Sequence, residues 1–448
     1  MKTTAIFILA FMVIFSHSLY SQTEQPKTWI HKLVESSKEF SKIQQAEELL
    51  RKGETQNSFK LLETASSQDP DLPPDQFLFA ILFLWGNNVD AARQILQGTG
   101  VKYPDYPGVY VLLGNLNVQE GRNLEASLLY QKALQWVEAK RWKSYQSQAF
   151  LEQIYTGLAA LAERKEDWTE TALYLEKLLK IKEKDGLLRQ RIAISYFRAG
   201  KRETTEKELY AAKKENENLE APELTLGKLY AEQKMMDQAK KWMLVAIQKN
   251  PKDSNVFFQV SQWYWNQDDL AEAEKYALQA RQLGNEQVDL KMLLGLIARE
   301  QKKFTQAEKI FSDIYEKNPT YFAASNQLAL VLLEQKEQEK KEKAVQLSSI
   351  NARLYPQDVL ALSTWAWVLF RMDNLEESGK IFEEIVKSGN VTAETAYYLA
   401  HFMFKQNRLQ ETKQWLEAAS RSTFRFVYKK DVEDWLNRLG KTPANTEK

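Results

Sequence analysis

Histidine, cysteine and paired carboxylates are the residues through which this chain could carry out acid–base, metal or nucleophilic chemistry. The 448-residue sequence has no cysteine and three histidines, which are His17, His31 and His401. Without cysteine the chain has no disulfide, no thiolate zinc or iron–sulfur site, and no cysteine nucleophile. His31 and His401 lie near opposite ends of the sequence, so we expect no shared metal or catalytic site.

Motifs for catalysis or cofactor binding are missing as well. The sequence has no glycine-rich phosphate loop, no HExxH pair and no nucleophile elbow. Asp and Glu are abundant, but their spacing is that of the solvated faces of helices. We therefore predict that the protein is not an enzyme and that it needs no cofactor and no metal.

The composition indicates an all-α protein with little attraction to polyanions. Lys and Arg total 61 and Asp and Glu total 60, so the formal net charge is +1 and no global field attracts nucleic acid or an anionic membrane. Glycine and proline, at 16 and 11 residues, are scarce, whereas 44% hydrophobic and 27% charged residues suit amphipathic helices. We expect no nucleic-acid partner.

The elements that must position any binding residues are visible as a repeat of small residues. Gly227 is followed 34 residues later by Ser261 and after another 34 by Gly295, and each has a second small residue 12 positions further on. Two steps are longer, by 11 residues after Gly114 and by three after Ala329. The eleven pairs are Ala46/Ser58, Ala80/Ala92, Gly114/Ala126, Ala159/Thr171, Ala193/Thr205, Gly227/Ala239, Ser261/Ala273, Gly295/Ala307, Ala329/Ala344, Ala366/Ser378 and Ala400/Thr412.

The residues around each pair predict two helices packed against each other. Apolar residues recur at helical spacing on both sides of each small residue. Small residues let the two helices approach closely, because a larger side chain at the crossing costs about 1–3 kcal/mol through overpacking. Breakers such as Gly121, Gly200 and Asn407 separate the two helices, and prolines such as Pro251 and Pro319 separate successive pairs. Each unit is predicted to be an antiparallel helical hairpin.

This pattern resembles the tetratricopeptide repeats over about residues 39–424. The tryptophan that often opens the family motif is missing throughout. The resemblance implies a solenoid of about 11 helical hairpins, wound as a right-handed superhelix whose first helices line a concave surface. Two units follow the motif well, through Leu226, Gly227, Tyr230, Ala239, Met243, Ala246 and Pro251, and through Gly295, Ala307, Phe311 and Pro319.

The resemblance also implies which side chains face the concave surface, namely those just after the small residue of each first helix. Amides there suit an extended peptide backbone, cations suit a carboxylate, and tryptophan offers an apolar platform. For the aromatic residues near the C-terminus two interpretations stay open, a peptide pocket and a dry interface within the protein. The predicted partner-binding residues are Arg164, Arg198, Lys228, Gln262, Trp265, Asn266, Arg299, Trp367, Phe370, Arg371, Tyr397, His401 and Phe404.

Residues 1–21 are typical of a signal peptide. Lys2 precedes an apolar run over residues 5–15, which is shorter than the roughly 20 residues needed to cross a bilayer. Cleavage is expected after Ser21 or after Ser18, and an uncleaved membrane anchor is the alternative. We expect a periplasmic or secreted protein that does not insert into the membrane after cleavage.

The remaining sequence is predicted to have five parts. They are an N-terminal repeat block (22–136), a helical insertion (137–150), a C-terminal repeat block (151–424), a capping helix (425–439) and a disordered tail (440–448). The aromatic residues at the insertion, Trp136, Trp142 and Tyr145, allow two interpretations. They project towards a partner, or they pack between units on lengthened helices.

These features predict a scaffold that binds a protein or an extended peptide in its concave groove, for assembly or transport in a cell envelope. One alternative is a glycan-binding or glycan-cleaving protein built on helical hairpins, which would use two carboxylates. The strict 34-residue step argues against it, because the units of such proteins are less regular. The other alternative is a membrane-anchored docking subunit.

Overall fold

The computed structural model describes residues 26–441 apart from 36, 141, 423 and 424. Within this range the chain forms 24 α-helices and no strand, so the predicted all-α fold is confirmed. In chain order they are α1 (Pro26–Val34), α2 (Phe40–Arg51), α3 (Thr55–Gln68), α4 (Asp75–Trp85), α5 (Val89–Lys102), α6 (Pro107–Gln119), α7 (Asn123–Ala139), α8 (Ser144–Arg164), α9 (Trp168–Leu179), α10 (Gly186–Arg198), α11 (Arg202–Glu215), α12 (Pro222–Glu232), α13 (Met236–Lys249), α14 (Ser254–Asn266), α15 (Leu270–Gln282), α16 (Val288–Glu300), α17 (Phe304–Lys317), α18 (Phe322–Leu333), α19 (Gln338–Leu354), α20 (Val359–Arg371), α21 (Leu375–Ser388), α22 (Ala393–Lys405), α23 (Leu409–Ser420) and α24 (Lys429–Lys441).

The helices from α2 to α23 follow one another as eleven pairs joined by short turns, and ten of these pairs pack as hairpins. The remaining pair, α12 and α13, spans the boundary between the two units described below. Every one of the eleven small-residue pairs has its first member on the first helix and its second member on the second helix, and all of these residues are buried. In two hairpins the pair is also hydrogen-bonded, because Ser58 Oγ donates to the Ala46 carbonyl (2.7 Å) and Ser378 Oγ donates to the Ala366 carbonyl (2.8 Å). Ten of the eleven predicted hairpins and the predicted register of the small residues are therefore confirmed.

The turns within the hairpins share a left-handed residue. In ten of the eleven turns the middle residue has positive φ, and glycine, asparagine and aspartate occupy most of these positions. Gly121 (φ 76°) and Asn407 (φ 58°) are examples, as expected for the residue types that reach this region at least cost. The exception is the turn after α18, which is longer than the others.

The chain divides into two compact units at Met236 and Asp237. The described residues of the N-terminal unit are 26–236, and those of the C-terminal unit are 237–441. The predicted boundary at residues 137–150 lies inside the N-terminal unit, and its role as a division between repeat blocks stays a prediction.

Lengthened helices account for the insertion in the N-terminal unit. Trp142 packs edge-on against Tyr106 (5.9 Å between ring centroids) and Phe150 (5.5 Å), and its indole N–H donates to the Trp136 carbonyl (3.1 Å). The N-terminal helix α1 packs against α8, with Trp29 buried beside Phe150. Of the two interpretations, packing within the unit describes Trp136 and Trp142, and for Tyr145 both stay open.

The C-terminal segment, defined here as residues 425–441, starts outside any helix, with a turn at residues 427 and 428, and continues as α24. The helix begins at Lys429, four residues later than the predicted capping helix, and it packs against α23 with Val432 fully buried. Residues 1–21, predicted as a signal peptide, and residues 442–448 of the predicted tail lie outside the described residues. None of the helices in the described part of the chain is both long enough and apolar enough to cross a membrane.

Candidate polypeptide-binding surface

The side chains that follow the small residue in each first helix define one surface in each unit, called here the first-helix surface. In the N-terminal unit it carries the predicted cations Arg164 on α8 and Arg198 on α10, together with Lys228 on α12. A helix presents residues three and four positions apart on the same face. The regular hairpin register therefore brings the same face of each first helix to this surface.

The three predicted cations are held by neighbouring side chains. Arg164 is exposed and donates to Asn123 Oδ1 (2.7 Å). The guanidinium of Arg198 lies over the Trp168 ring (4.6 Å to the centroid). It also lies 3.5 Å from Glu232, and Lys228 pairs with Glu220. A ligand carboxylate would have to compete with these contacts.

An ion pair beside this surface was missed by the sequence reasoning. Arg191 donates to both carboxylate oxygens of Glu163 (2.8 and 2.6 Å) and so links α10 to α8. Such bidentate pairs are stronger and more directional than single contacts. No local motif marks the pair, since its members are 28 residues apart.

The first-helix surface of the C-terminal unit begins with three predicted residues on α14, Gln262, Trp265 and Asn266. Asn266 is exposed and Gln262 is half-buried. The ring of Trp265 is covered by the guanidinium of Arg425, which lies 3.7 Å from its centroid. The apolar platform predicted at Trp265 is therefore present, and in this structure the chain itself occupies it.

Arg425 is the residue that the sequence reasoning overlooked. It donates to both carboxylate oxygens of Glu300 at the end of α16 (2.6 and 2.5 Å) and to Asp268 in the turn after α14 (2.7 Å). Its side chain is only 4% exposed. Burial raises the pKa of the Glu300 carboxyl, and the nearby Arg425 opposes this shift. The detectable signal was a cation among apolar residues, in Arg425-Phe426-Val427-Tyr428, directly before a helix.

Arg299 does not face an open groove, which corrects its predicted placement as an accessible partner-binding residue. It is 3% exposed, and it donates to Gln327 Oε1 (2.6 Å) and to the Tyr428 hydroxyl (2.6 Å). A longer contact joins it to Glu394 (3.3 Å). A buried guanidinium needs such partners to offset its desolvation. Arg299 thus fastens the C-terminal segment to α16, α18 and α22.

The aromatic residues predicted near the C-terminus form a packed cluster. Trp367 is buried and stacks on Tyr398 (4.5 Å between centroids), and Tyr397 is buried and stacks on Tyr428 (4.4 Å). Phe370 packs against Phe402 (6.0 Å). This arrangement corrects the interpretation of Trp367 and Tyr397 as open pocket residues, because the alternative of a dry interface describes them.

The edge of the cluster is more accessible. His401 lies 4.6 Å from Trp435 of α24, and Phe404, 47% exposed, lies 5.4 Å from the same ring. Burial and the charge of Arg371 lower the pKa of His401 to about 4. Arg371 itself is exposed and pairs with Glu334 (2.8 Å).

The described residues hold no arrangement suited to a metal ion. In the ranges given above, no three side chains of His, Asp or Glu lie close enough together to ligate one. Of the thirteen predicted residues, five contact the C-terminal segment, namely Trp265, Arg299, Tyr397, His401 and Phe404. Arg164, Arg198 and Lys228 belong to the N-terminal unit.

A family model matches part of the hairpin array. Residues 263–322 match a family model described as tetratricopeptide repeat. A solved repeat protein from Parabacteroides merdae is 14% identical, covers 56% of this chain and 98% of its own, and has a TM-score of 0.46. Yeast Tom70 is also 14% identical, covers 90% of this chain and 95% of its own, and has a TM-score of 0.37. Likenesses this distant carry no information about partners. No curated protein matches the sequence at a significant level.

Proposed function

We propose that this chain, which is a tetratricopeptide repeat protein, is a non-catalytic scaffold that binds a polypeptide partner on the first-helix surface. The observation that carries the proposal is the C-terminal segment. A stretch of polypeptide lies on the first helices α14, α16 and α22, held by ion pairs, a hydrogen bond and stacked rings. A surface that holds one polypeptide in this way has the chemistry to hold another.

Site-specific photo-crosslinking in the native host tests the proposal. A photo-reactive amino acid is placed at Asn266 and, separately, at Phe404, both exposed near the ends of first helices of the C-terminal unit. The matched control position is Lys207, which is exposed on the second helix α11. We expect one and the same polypeptide, identified by mass spectrometry, to be captured from the first two positions and not from the third. Equal capture from all three positions, or capture from none, would refute the proposal.

We further propose that the scaffold is exported and acts in assembly or transport in the cell envelope. The support is the sequence of residues 1–21, with its basic start, short apolar run and small residues before the expected cleavage sites. N-terminal sequencing of the protein from a fractionated host is the test. We expect a first residue of Gln22 or Leu19 in the soluble envelope fraction. An intact N-terminus in the membrane fraction would favour the anchored docking subunit instead.

A further inference from the structure

The C-terminal segment makes three kinds of contact with the first-helix surface of the C-terminal unit. Its arginine, Arg425, lies between Trp265 and two acidic side chains. Its tyrosine, Tyr428, stacks on an aromatic ring and accepts a hydrogen bond from Arg299. Its tryptophan, Trp435, packs on α22. These partners are up to 157 residues away in sequence.

Capping the last hairpin does not require the first two of these contacts. Val432 is buried in the hydrophobic core of the unit, and Leu436 and Leu439 pack against that core, as expected of a helix that caps the array. Arg425 and Tyr428 instead reach back to the helices of earlier hairpins. Burying a guanidinium is costly unless it is fully paired. The acidic and aromatic side chains that receive Arg425 therefore form a specific site.

We propose that the C-terminal segment is an internal competitor that occupies the peptide-binding site of the C-terminal unit. The external ligand of this site is a polypeptide with the same chemistry: an arginine, a tyrosine three residues later, and then a helix with a tryptophan about two turns further on. This inference rests on the proposed function and names its partner class and its regulation. Binding of the external ligand displaces the C-terminal segment.

The charges and rings of the site define the ligand. Glu300 and Asp268 select a planar cation that bonds both oxygens of one carboxylate, which favours arginine over lysine. Trp265 adds a flat face beneath that cation. Arg299 selects a hydroxyl acceptor on a ring, and the half-exposed Phe404 with His401 selects a large apolar side chain. A strongly acidic segment is excluded, because it would meet Glu300 and Asp268.

Tethering sets how strongly the internal segment competes. A segment joined by a short connection has an effective concentration on the order of millimolar. For a free peptide with an intrinsic Kd on the order of 10 µM, this lowers the apparent affinity of the intact chain about 100-fold. A variant that releases the internal segment should regain most of the lost affinity for the free peptide.

Fluorescence anisotropy with a labelled synthetic peptide of residues 425–441 is the test, using the full-length chain. The variant Arg425→Glu places a carboxylate against Glu300 and Asp268 and so releases the internal segment. The matched control is Lys430→Glu, the same charge reversal at an exposed position of the segment. We expect the peptide to bind Arg425→Glu at least about 10-fold more tightly than the wild type, and Lys430→Glu to behave as the wild type does.

A second variant and a second peptide keep the test decisive. Trp435→Ala removes a contact with His401 and Phe404 without burying a charge, so it releases the segment even if Arg425→Glu misfolds. A peptide with Arg425→Ala is expected to lose binding at least about 10-fold, because it lacks the bidentate contact. Circular dichroism checks that each variant keeps its helical content.

Three results would overturn the inference. The first is equal peptide affinity for the wild type and for both released variants, including no binding to any of them. The second is unchanged affinity of the Arg425→Ala peptide. The third is a wild-type dimer that forms with rising concentration and disappears in Arg425→Glu, which would assign the site to a second copy of the chain. None of these measurements involves the cellular partner, so photo-crosslinking decides the proposed function separately.

Discussion

Replacing Gly295 with alanine should destabilise the hairpin of α16 and α17, although alanine is the better helix former. A Cβ atom at residue 295 would lie 2.5 Å from Cε1 and 2.6 Å from Cζ of Phe311, whose side chain is fully buried. Alanine ordinarily gains about 0.5–1 kcal/mol over glycine inside a helix. Overpacking costs about 1–3 kcal/mol. The cost of the overlap should exceed the gain in helix propensity, because the buried ring of Phe311 has little room to move. The free energy of unfolding should therefore fall by about 1–2 kcal/mol.

The matched control is Gly98, which lies in the interior of α5. A Cβ atom there would have no neighbour within 4 Å, so Gly98→Ala should raise the free energy of unfolding by about 0.5–1 kcal/mol. Urea denaturation followed by far-ultraviolet circular dichroism measures both changes. Hydrogen exchange over residues 288–317 checks that the loss at Gly295 is local to its hairpin.

The reasoning would be refuted if Gly295→Ala stabilised the protein as Gly98→Ala is expected to do. A second test adds Phe311→Leu to Gly295→Ala. The smaller side chain should relieve the overlap, so the double variant should lose less stability than the sum of the single losses. Strict additivity would mean that Gly295 and Phe311 do not meet at the crossing.

Three further perturbations address other features of the fold. Ser378→Ala keeps a small residue at its crossing but removes the hydrogen bond to the Ala366 carbonyl, and urea denaturation should show a loss of about 1 kcal/mol. Arg299→Ala leaves buried hydrogen-bond acceptors without their donor and should cost about 3 kcal/mol in the same assay, and Arg299→Lys should not restore the loss. The pKa of His401 is lowered to about 4 by burial, so between its ordinary pKa and pH 4 the unfolded chain binds the proton and the folded chain does not. Stability should therefore fall by about 2 kcal/mol from pH 7.5 to pH 5, and thermal melts of His401→Gln should lack this component.

The hairpins could be predicted from the sequence because their determinants are local. A small residue at a helix crossing and a breaker in the turn both act within one unit, and the 34-residue period repeats the signal eleven times. Gly121 and Asp268 were visible as turn residues because their types favour positive φ. Glu166 and Lys302 occupy the same turn position, and there only the repeat register, not the residue type, marks the turn.

The candidate site could be predicted only in part. The register placed Trp265, Arg299 and Tyr397 on first helices, and the structure has them there. Whether such a side chain is open to a partner depends on what covers it. In this chain Arg425 covers Trp265 and Tyr428 covers Arg299. Both are more than 100 residues away in sequence from α14 and α16. A periodic pattern carries no information about a contact of that kind, because the C-terminal segment is not one of the repeated units.

The C-terminal segment also changes how the array holds together. In a repeat protein each unit contacts its neighbours alone, so stability is close to a sum of local terms. Arg425 and Tyr428 bridge α14, α16 and α22, which belong to hairpins that are not all adjacent. The segment therefore adds a stabilising contribution to the free energy of folding that these hairpins share. Because they share it, release of the segment without a replacing ligand, as in Arg425→Glu, should loosen all three hairpins together, and hydrogen exchange should detect the change well beyond the residues that Arg425 contacts.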